Sequence, residues 1–436
     1  MIFVRGDFSS VQAVKNALDC FASWSGLTAN NEKTEIYFGG VNEAVRDSIL
    51  AATGFSEGRF PFRYLGIPLH ASRLAPEMFN ALILKIQRLV QHWSSKTLTY
   101  AGKIQLINSI IFGLESYWCA CLLLPKSVIK QINKLCKDFF WGIAENHNRM
   151  VFKSWSDVCL PWDEGGFDVR EILSWNKALM AKHLWNLDQG KGGIWASWTR
   201  LYYLSSDHIW DVGITNHHAQ SFRGLLNVRD SLVDACGGTS LARAGLNLCA
   251  SAGSFSVTAA YHILRRRKAR VAWTGVFKGG RVVPSHGIIT NMAGLAQLPT
   301  TDNIIRRGMI IINRCNLCKS YGESHRHLFF RCPYSKEIWG RLLKWMYIGG
   351  RSCDLITELH WTARRGKRKH WKTRWFRICL AACVYFIWNE RNFRIFKGFE
   401  RDPITLVGII KIFVAIKSFS VSAPNEEISV INALNS

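Results

Sequence analysis

Along this chain the apolar residues recur most often at helical spacing. Val11, Val14, Leu18 and Phe21 repeat every three to four residues. The short apolar run Met1 to Val4 before them predicts a strand, and Thr34 to Phe38 predicts another, so the chain reads as opening on a strand-helix-strand fragment. From Pro76 onward Phe79, Leu82, Ile83, Ile86, Leu89, Val90 and Trp93 share one helical face, with the proline near the start, where its missing N–H costs nothing. A second helix is expected over about Ala101 to Gly113. A third, Ser127 to Phe140, sets Val128, Ile132, Leu135 and Phe139 on one side and Lys130, Lys134 and Lys137 on the other. Beyond Gly142, helix-like runs centre on residues 170–187 among Trp155, Trp162, Trp175 and Trp185. Residues 205–253 hold turn residues and few long apolar faces, and read as a connector with a boundary near 250. Helices are then expected over Phe255 to Arg267, Tyr334 to Met346 and Trp371 to Phe396. The tail after Pro424 is polar and expected to fray. The fold class that follows is mainly α with small β parts.

Charge narrows the partners. The sequence has 56 Lys+Arg against 31 Asp+Glu, a net charge of +25, and such a surface attracts polyanions. On one helix a lysine stripe is usually a solvated face. In a chain this basic, Lys130, Lys134 and Lys137 gain a phosphate-tracking role, and the runs at Arg265, Arg266, Arg267 and at Arg364 to Lys369 join them as candidate nucleic-acid contacts or nuclear-localisation signals. The apolar stretches Leu114 to Leu124 and Ile378 to Trp388 fall short of the roughly 20 residues a membrane span needs, so they read as buried helices. Thirteen cysteines with no signal segment ahead of them argue against a secreted disulfide framework. The expected location is the nucleus or the cytoplasm.

The sharpest motif is RCNLCKSYGESHRHLFFRC, which spaces Cys315, Cys318, His327 and Cys332 as C-x2-C-x8-H-x4-C. Zinc takes four such ligands in a tetrahedron, and the C-x2-C turn presents two thiolates to one ion. His325 competes with His327 for the histidine position. Packing as small buried hydrophobes is the bland alternative for the cysteines, but Lys319, Ser320, Tyr321, Gly322, Glu323 and Ser324 between them are loop residues. With all four positions filled by protein the metal would be structural, and Lys319, Arg326 and Arg331 would offset its net negative charge. In the helix that follows, Ile338, Leu342 and Trp345 form the face expected to close over it.

Several stretches together resemble plant-type LINE reverse transcriptases, the polymerases of non-LTR retrotransposons. SWSGLTANNEKTEIYFGG resembles the palm segment carrying that family's motif D lysine, here Lys33, and FPFRYLGIPL resembles the strand pair called the primer grip. LTYAGKIQLINSII, YWCACLLLP and CKDFFWG resemble the thumb helices. RCNLCKSYGESHRHLFFRCPYSKEIW resembles the family's zinc-binding domain, with Glu323 and Trp339 in register. In LPWDEGGFDVREIL, Trp162 and Asp168 depart from the family's pattern of a lysine, acidic residues and GGLG. The resemblance implies a partial palm over residues 1–72, thumb helices over 73–145, a Trp-rich connection region over 146–250, a zinc-binding domain over 251–348 and a basic helix with tail over 349–436.

The same resemblance implies that MIFVRGDFSSV follows the strand bearing the adjacent aspartates that bind magnesium in the full-length relatives. No such pair occurs in this sequence. The expectation is a truncated reverse transcriptase without catalytic residues and without a ribonuclease H domain, which keeps structural zinc and affinity for an RNA and DNA primer-template through Lys33, the thumb lysines and the basic runs. Two alternatives stand beside it. One is an active enzyme whose palm is supplied upstream or in trans. The other is a non-enzymatic zinc protein that binds a protein partner through its Trp-rich surface.

Overall fold

The computed structural model describes residues 1–70, 74–94, 96–142, 151, 153–204, 208–251, 253–278, 280, 282–309, 311–349, 354–365 and 371–419. The polar tail after Pro424 and most of the Arg364 to Lys369 run lie outside them. The chain divides into two units, Met1–Ala81 and Leu82–Ser436.

The first unit holds helices α1 (Phe8–Ser25) and α2 (Glu43–Thr53) and four very short strands. Strands β1 (Glu35–Ile36) and β2 (Ser56–Glu57) pair in parallel, and β3 (Phe62–Tyr64) and β4 (Ile67–Leu69) pair antiparallel. The β3–β4 hairpin fits the expected strand pair. Its turn puts Leu65 and Gly66 at φ +50° and +83°, as a two-residue hairpin loop requires. Asp7 caps α1 by accepting the Ser10 N–H at 2.8 Å, which is why the helix begins there. The strand expected over Met1 to Val4 is absent. Those residues are exposed and extended without a ladder, and an apolar run makes a strand only where a partner backbone takes up its hydrogen bonds. The run Thr34 to Phe38 keeps only β1.

The second unit is helical. Helix α3 (Asn80–Ser94) starts at the division and buries Leu82, Ile86, Val90 and Trp93, the predicted face. Helix α4 (Tyr100–Leu106) continues through a π-helical turn, Ile107–Ile111, into α5 (Phe112–Cys121), so one rod replaces the shorter helix expected to end near Gly113. Helix α6 (Lys126–Trp141) matches the predicted third helix. Short α7 (Trp155–Val158) precedes the loop of Trp162 and Asp168. There Asp168 adopts φ +57°, a conformation asparagine and aspartate tolerate better than most residues, and its carboxylate accepts the Trp162 N–H at 3.0 Å. Gly166 is required outright: a Cβ there would sit 1.8 Å from the Leu160 carbonyl oxygen.

Next come α8 (Ile172–Asp188), α9 (Gly193–Thr199), α10 (Gln220–Cys236), α11 (Thr239–Leu248), the β5–β6 pair (Ala250–Ser251, Ser254–Phe255) and α12 (Val257–Leu264). The stretch 205–253, read from its turn residues as a connector, carries α10 and α11. Phe222, Leu225, Leu226, Val228 and Leu232 of α10 join Leu184, Trp185 and Tyr261 in a single core that runs across position 250. Serines and asparagines on the solvent side of these helices, and Gly224 within the buried face itself, mask that apolar face in the sequence.

The last part holds α13 (Pro284–Gly294), α14 (Thr301–Ile305), α15 (His325–Leu328), α16 (Pro333–Trp345), α17 (Leu355–Arg365), α18 (Trp371–Lys397) and α19 (Pro403–Phe419). Helix α18 runs as predicted and is buried along Phe376 to Ile387, packing against α13, α16, α17 and α19. Among the described residues no helix is long and apolar enough to cross a membrane.

Candidate metal centre and nucleic-acid surface

Cys315, Cys318, His327 and Cys332 come together with their ligand atoms all within 4.8 Å of one another. The Cys315 and Cys332 sulfurs are 3.9 Å apart, and the Cys318 sulfur lies 3.3 Å from His327 Nε2. A tetrahedron built on Zn–S of about 2.3 Å and Zn–N of about 2.0 Å has edges of roughly 3.5 to 3.8 Å, so these two separations are close to those that one zinc ion would impose.

Local backbone sets each ligand. The Cys315 N–H donates to the Tyr321 carbonyl at 2.7 Å and the Lys319 N–H donates to the Cys315 carbonyl at 2.8 Å, with Lys319 at φ +56°, which closes the C-x2-C turn. Ser324 caps α15 by accepting the His327 N–H, and the Cys332 N–H donates to the His327 carbonyl at 2.7 Å, tying the second pair of ligands to each other. Cys332 is also the residue before Pro333, the first residue of α16. The Cys315 thiol is held down to about 5, first by its hydrogen bond with Cys332 and then, against the effect of burial, by the Cys318 and Leu317 backbone N–H groups. The same shared hydrogen bond, with burial, pushes Cys332 up. A bound cation would compete with protons for both sulfurs.

The two histidines differ in their hydrogen bonding. His325 Nε2 accepts the Leu298 N–H at 3.0 Å, and its Nδ1 lies 3.1 Å from Thr300 Oγ1. Both ring nitrogens are committed, and burial lowers its pKa to about 4, so it is a neutral tie. His327 faces the cysteines.

The charges around the site differ from the sequence reading. Lys319 pairs with Glu400 at 2.5 Å and Arg331 with Asp354 at 2.9 Å, so neither is left to offset the sulfurs; Arg326 is exposed. The groups that hold the module come from α18 and were missed. Arg394 donates to the Asn316 and Leu317 carbonyls inside the C-x2-C turn at 3.3 and 2.9 Å, and is itself braced by buried Glu390 at 2.9 Å. Arg391 forms a double hydrogen bond with buried Glu323. Charged residues set in a helix that is otherwise apolar from Ile378 to Trp388 were the available signal. Ile338, Leu342 and Trp345 of α16 are buried, Trp345 against Trp375 of α18, while Trp339 stacks on Phe330, next to the ligand loop, at 4.9 Å.

Residues 255–339 match the family described as zinc-binding in reverse transcriptase, and the four ligands lie inside that match. The chain is reverse-transcriptase-related. It is 30% identical over 129 residues to a protein of Arabidopsis thaliana named for ribonuclease H, a match covering 30% of this chain and 21% of that protein. It is 22% identical over 121 residues to a mitochondrial protein of the same plant, covering 28% of this chain and 79% of that one. The chain thus spans about a fifth of the first relative. With the zinc-binding domain, these matches mark the chain as a relative of retrotransposon-derived reverse transcriptases. In this reverse-transcriptase relative the zinc-binding domain is held by α18, which lies outside the matched residues.

The predicted nucleic-acid contacts belong to different elements. Lys33 sits in an exposed turn of the first unit, its N–H donating to Asn30. Lys130 and Lys134 are exposed on α6 and Lys137 is half-buried. Arg265 is not an open cation: both arms of its guanidinium grip buried Glu164, at 2.6 and 2.9 Å. Arg266 pairs with Asp157 at 3.3 Å, and Arg267 donates to the His262 carbonyl at 3.0 Å. Arg265 thus fastens the end of α12 to the Trp162 loop, Arg266 ties it to α7, and Arg267 closes back on α12 itself.

Proposed function

We propose that this chain is a nucleic-acid-binding, zinc-stabilised part of a retrotransposon-type reverse transcriptase that grips an RNA and DNA primer-template and does not itself polymerise. The observation that carries the reading is the close Cys315, Cys318, His327 and Cys332 cluster inside the matched zinc-binding domain of a chain with net charge +25. Zinc there would be structural: the protein fills all four corners, and a closed site folds its loop rather than activating water. Lys130 and Lys134 on α6 supply an exposed cationic stripe for phosphate contacts. Polymerisation needs adjacent carboxylates to hold magnesium, and these 436 residues contain no adjacent aspartates, so activity would require a palm supplied by other residues. The proposed location remains the nucleus or cytoplasm.

A second reading rests on α9 and the π-helical turn after it, where Trp198 and Tyr202 stack at 5.1 Å while 48% and 66% exposed, beside exposed Leu201 and Ile194. Such a surface suits a protein partner. The deciding experiment titrates zinc-loaded protein against a labelled RNA–DNA primer-template at two salt concentrations, with Cys315→Ser alongside. Binding that weakens steeply with salt supports the first reading. Absence of binding at low salt leaves the zinc-dependent protein-partner reading in front.

A further inference from the structure

Directly after the zinc ligands, α16 packs against α19, and between them opens a cavity of about 480 Å³. Its floor is apolar: Trp345, only 9% exposed, lies beside Val407. Its charged lining is of one sign. Arg341 and Lys344 reach it from α16 and Lys411 from α19, and among the described residues no carboxylate lines it. The Lys411 ammonium stands 5.3 Å from the centre of the Trp345 ring. Among the described residues Arg341 has only an exposed partner one turn away, Glu337, an arrangement easily exchanged for a better anion. Tyr347, at φ +56° just past the end of α16, is 74% exposed and stands at the rim.

Lys344 and Lys411, with Arg341 beside them, concentrate positive charge that an anion would relieve, and the exposed Tyr347 ring at the rim suits a planar ring more than an aliphatic chain. The volume falls in the ordinary range for a small-ligand pocket. We propose that this cavity is a nucleoside-phosphate site, with the phosphate held by Lys344, Lys411 and Arg341 and the base laid against Tyr347 and Trp345. The ligand is either a free nucleotide or one unit of a single strand; the second source rests on the nucleic-acid reading above, the first does not.

Gly408 makes the test clean. It lines the cavity from α19, and a Cβ there would meet nothing within 4 Å, so a large side chain can fill the hollow without displacing the core. Replacing a helical glycine also favours the helix. The experiment uses the full zinc-loaded chain, wild type, Gly408→Trp and the pair Lys344→Glu with Lys411→Glu. Calorimetry measures adenosine monophosphate binding, and anisotropy measures a labelled single strand of about ten nucleotides, a length within one binding-site size. The expected result is that both variants lose roughly tenfold or more in affinity for the nucleotide, equivalent to about 1.4 kcal/mol. A parallel loss for the strand identifies a strand unit as the ligand, and an unchanged strand affinity identifies the free nucleotide; both uphold the site. Nucleotide binding that is absent in wild type, or equal in all three proteins, overturns it, as does displacement of the nucleotide by polyglutamate at equal charge. Loss of strand and primer-template binding in wild type, with nucleotide binding intact, sinks the nucleic-acid reading and leaves the pocket standing.

Discussion

Glu323 in the zinc loop and Arg391 of α18 meet in a two-pronged ion pair, 2.7 and 3.2 Å long, with side chains 0% and 5% exposed. Glu323 also accepts the Thr301 N–H and hydroxyl, at 2.8 and 3.1 Å, so one buried carboxylate joins α14, α18 and the metal loop. Arg391→Met would strand that carboxylate without its counter-charge, and breaking a buried pair in this way typically costs 3 to 5 kcal/mol. Urea unfolding of the zinc-loaded protein should show a loss of about 3 kcal/mol or more, and the double change with Glu323→Gln should recover part of it. A loss below about 1 kcal/mol would mean that α18 does not grip the module through this pair.

The two histidines, two residues apart, should separate cleanly by metal content. His327→Ala removes a ligand and should lower zinc affinity sharply. His325→Gln should leave one zinc per chain while costing about 1 to 3 kcal/mol, because the Leu298 N–H and Thr300 lose a buried partner. Elemental analysis after dialysis against a weak chelator, beside a melting curve, reads both effects. Zinc lost from His325→Gln but kept by His327→Ala would reverse the assignment.

Glu115 of α5 gives a pH signature. Both its oxygens are buried and have no hydrogen-bond partner among the described residues, and desolvation pushes its pKa from the ordinary 4.5 up to about 8. A carboxyl raised in the fold contributes stability that is fully present below pH 4.5 and is lost as the pH climbs through 8, because the unfolded chain gives up the proton first. Glu115→Gln should therefore stabilise the protein at pH 8, on the order of 2 to 4 kcal/mol, with the gain shrinking toward zero near pH 4. Equal effects at both pH values would show that burial does not raise this group.

What the sequence disclosed follows from how local each signal is. The apolar stripe of Leu82, Ile86, Val90 and Trp93 and the spacing of Cys315, Cys318, His327 and Cys332 are short-range patterns, and helix α3 and the cluster formed where they pointed. Met1 to Val4 failed because strand formation depends on a partner far along the chain, which no window of four residues reports. Helices α10 and α11 were hidden by serine and asparagine on their outer faces and by Gly224 within the buried one, although Phe222, Leu226 and Leu232 carry an apolar stripe. His325 and His327 look alike in the motif. Only the Leu298 N–H and Thr300, brought in from another loop, distinguish them.

The basic run at Arg265 and the lysine stripe on α6 look equally cationic in the sequence, yet the fold gives them opposite tasks. Arg265 is 11% exposed against a Glu164 that is 7% exposed, and Glu164 also accepts the Lys268 N–H at 2.9 Å. Arg265→Ala should thus act on the fold, costing about 2 to 3 kcal/mol by leaving Glu164 without its counter-charge. It should hardly alter the dependence of nucleic-acid affinity on salt. Lys130 and Lys134 are exposed, and their removal should hardly alter stability. If they contact phosphates, each substitution to alanine should reduce the slope of log affinity against log salt by about 1. Measuring unfolding and salt slope on the same three variants separates the roles: a reduced slope in Arg265→Ala with unchanged stability would return that arginine to the nucleic-acid surface.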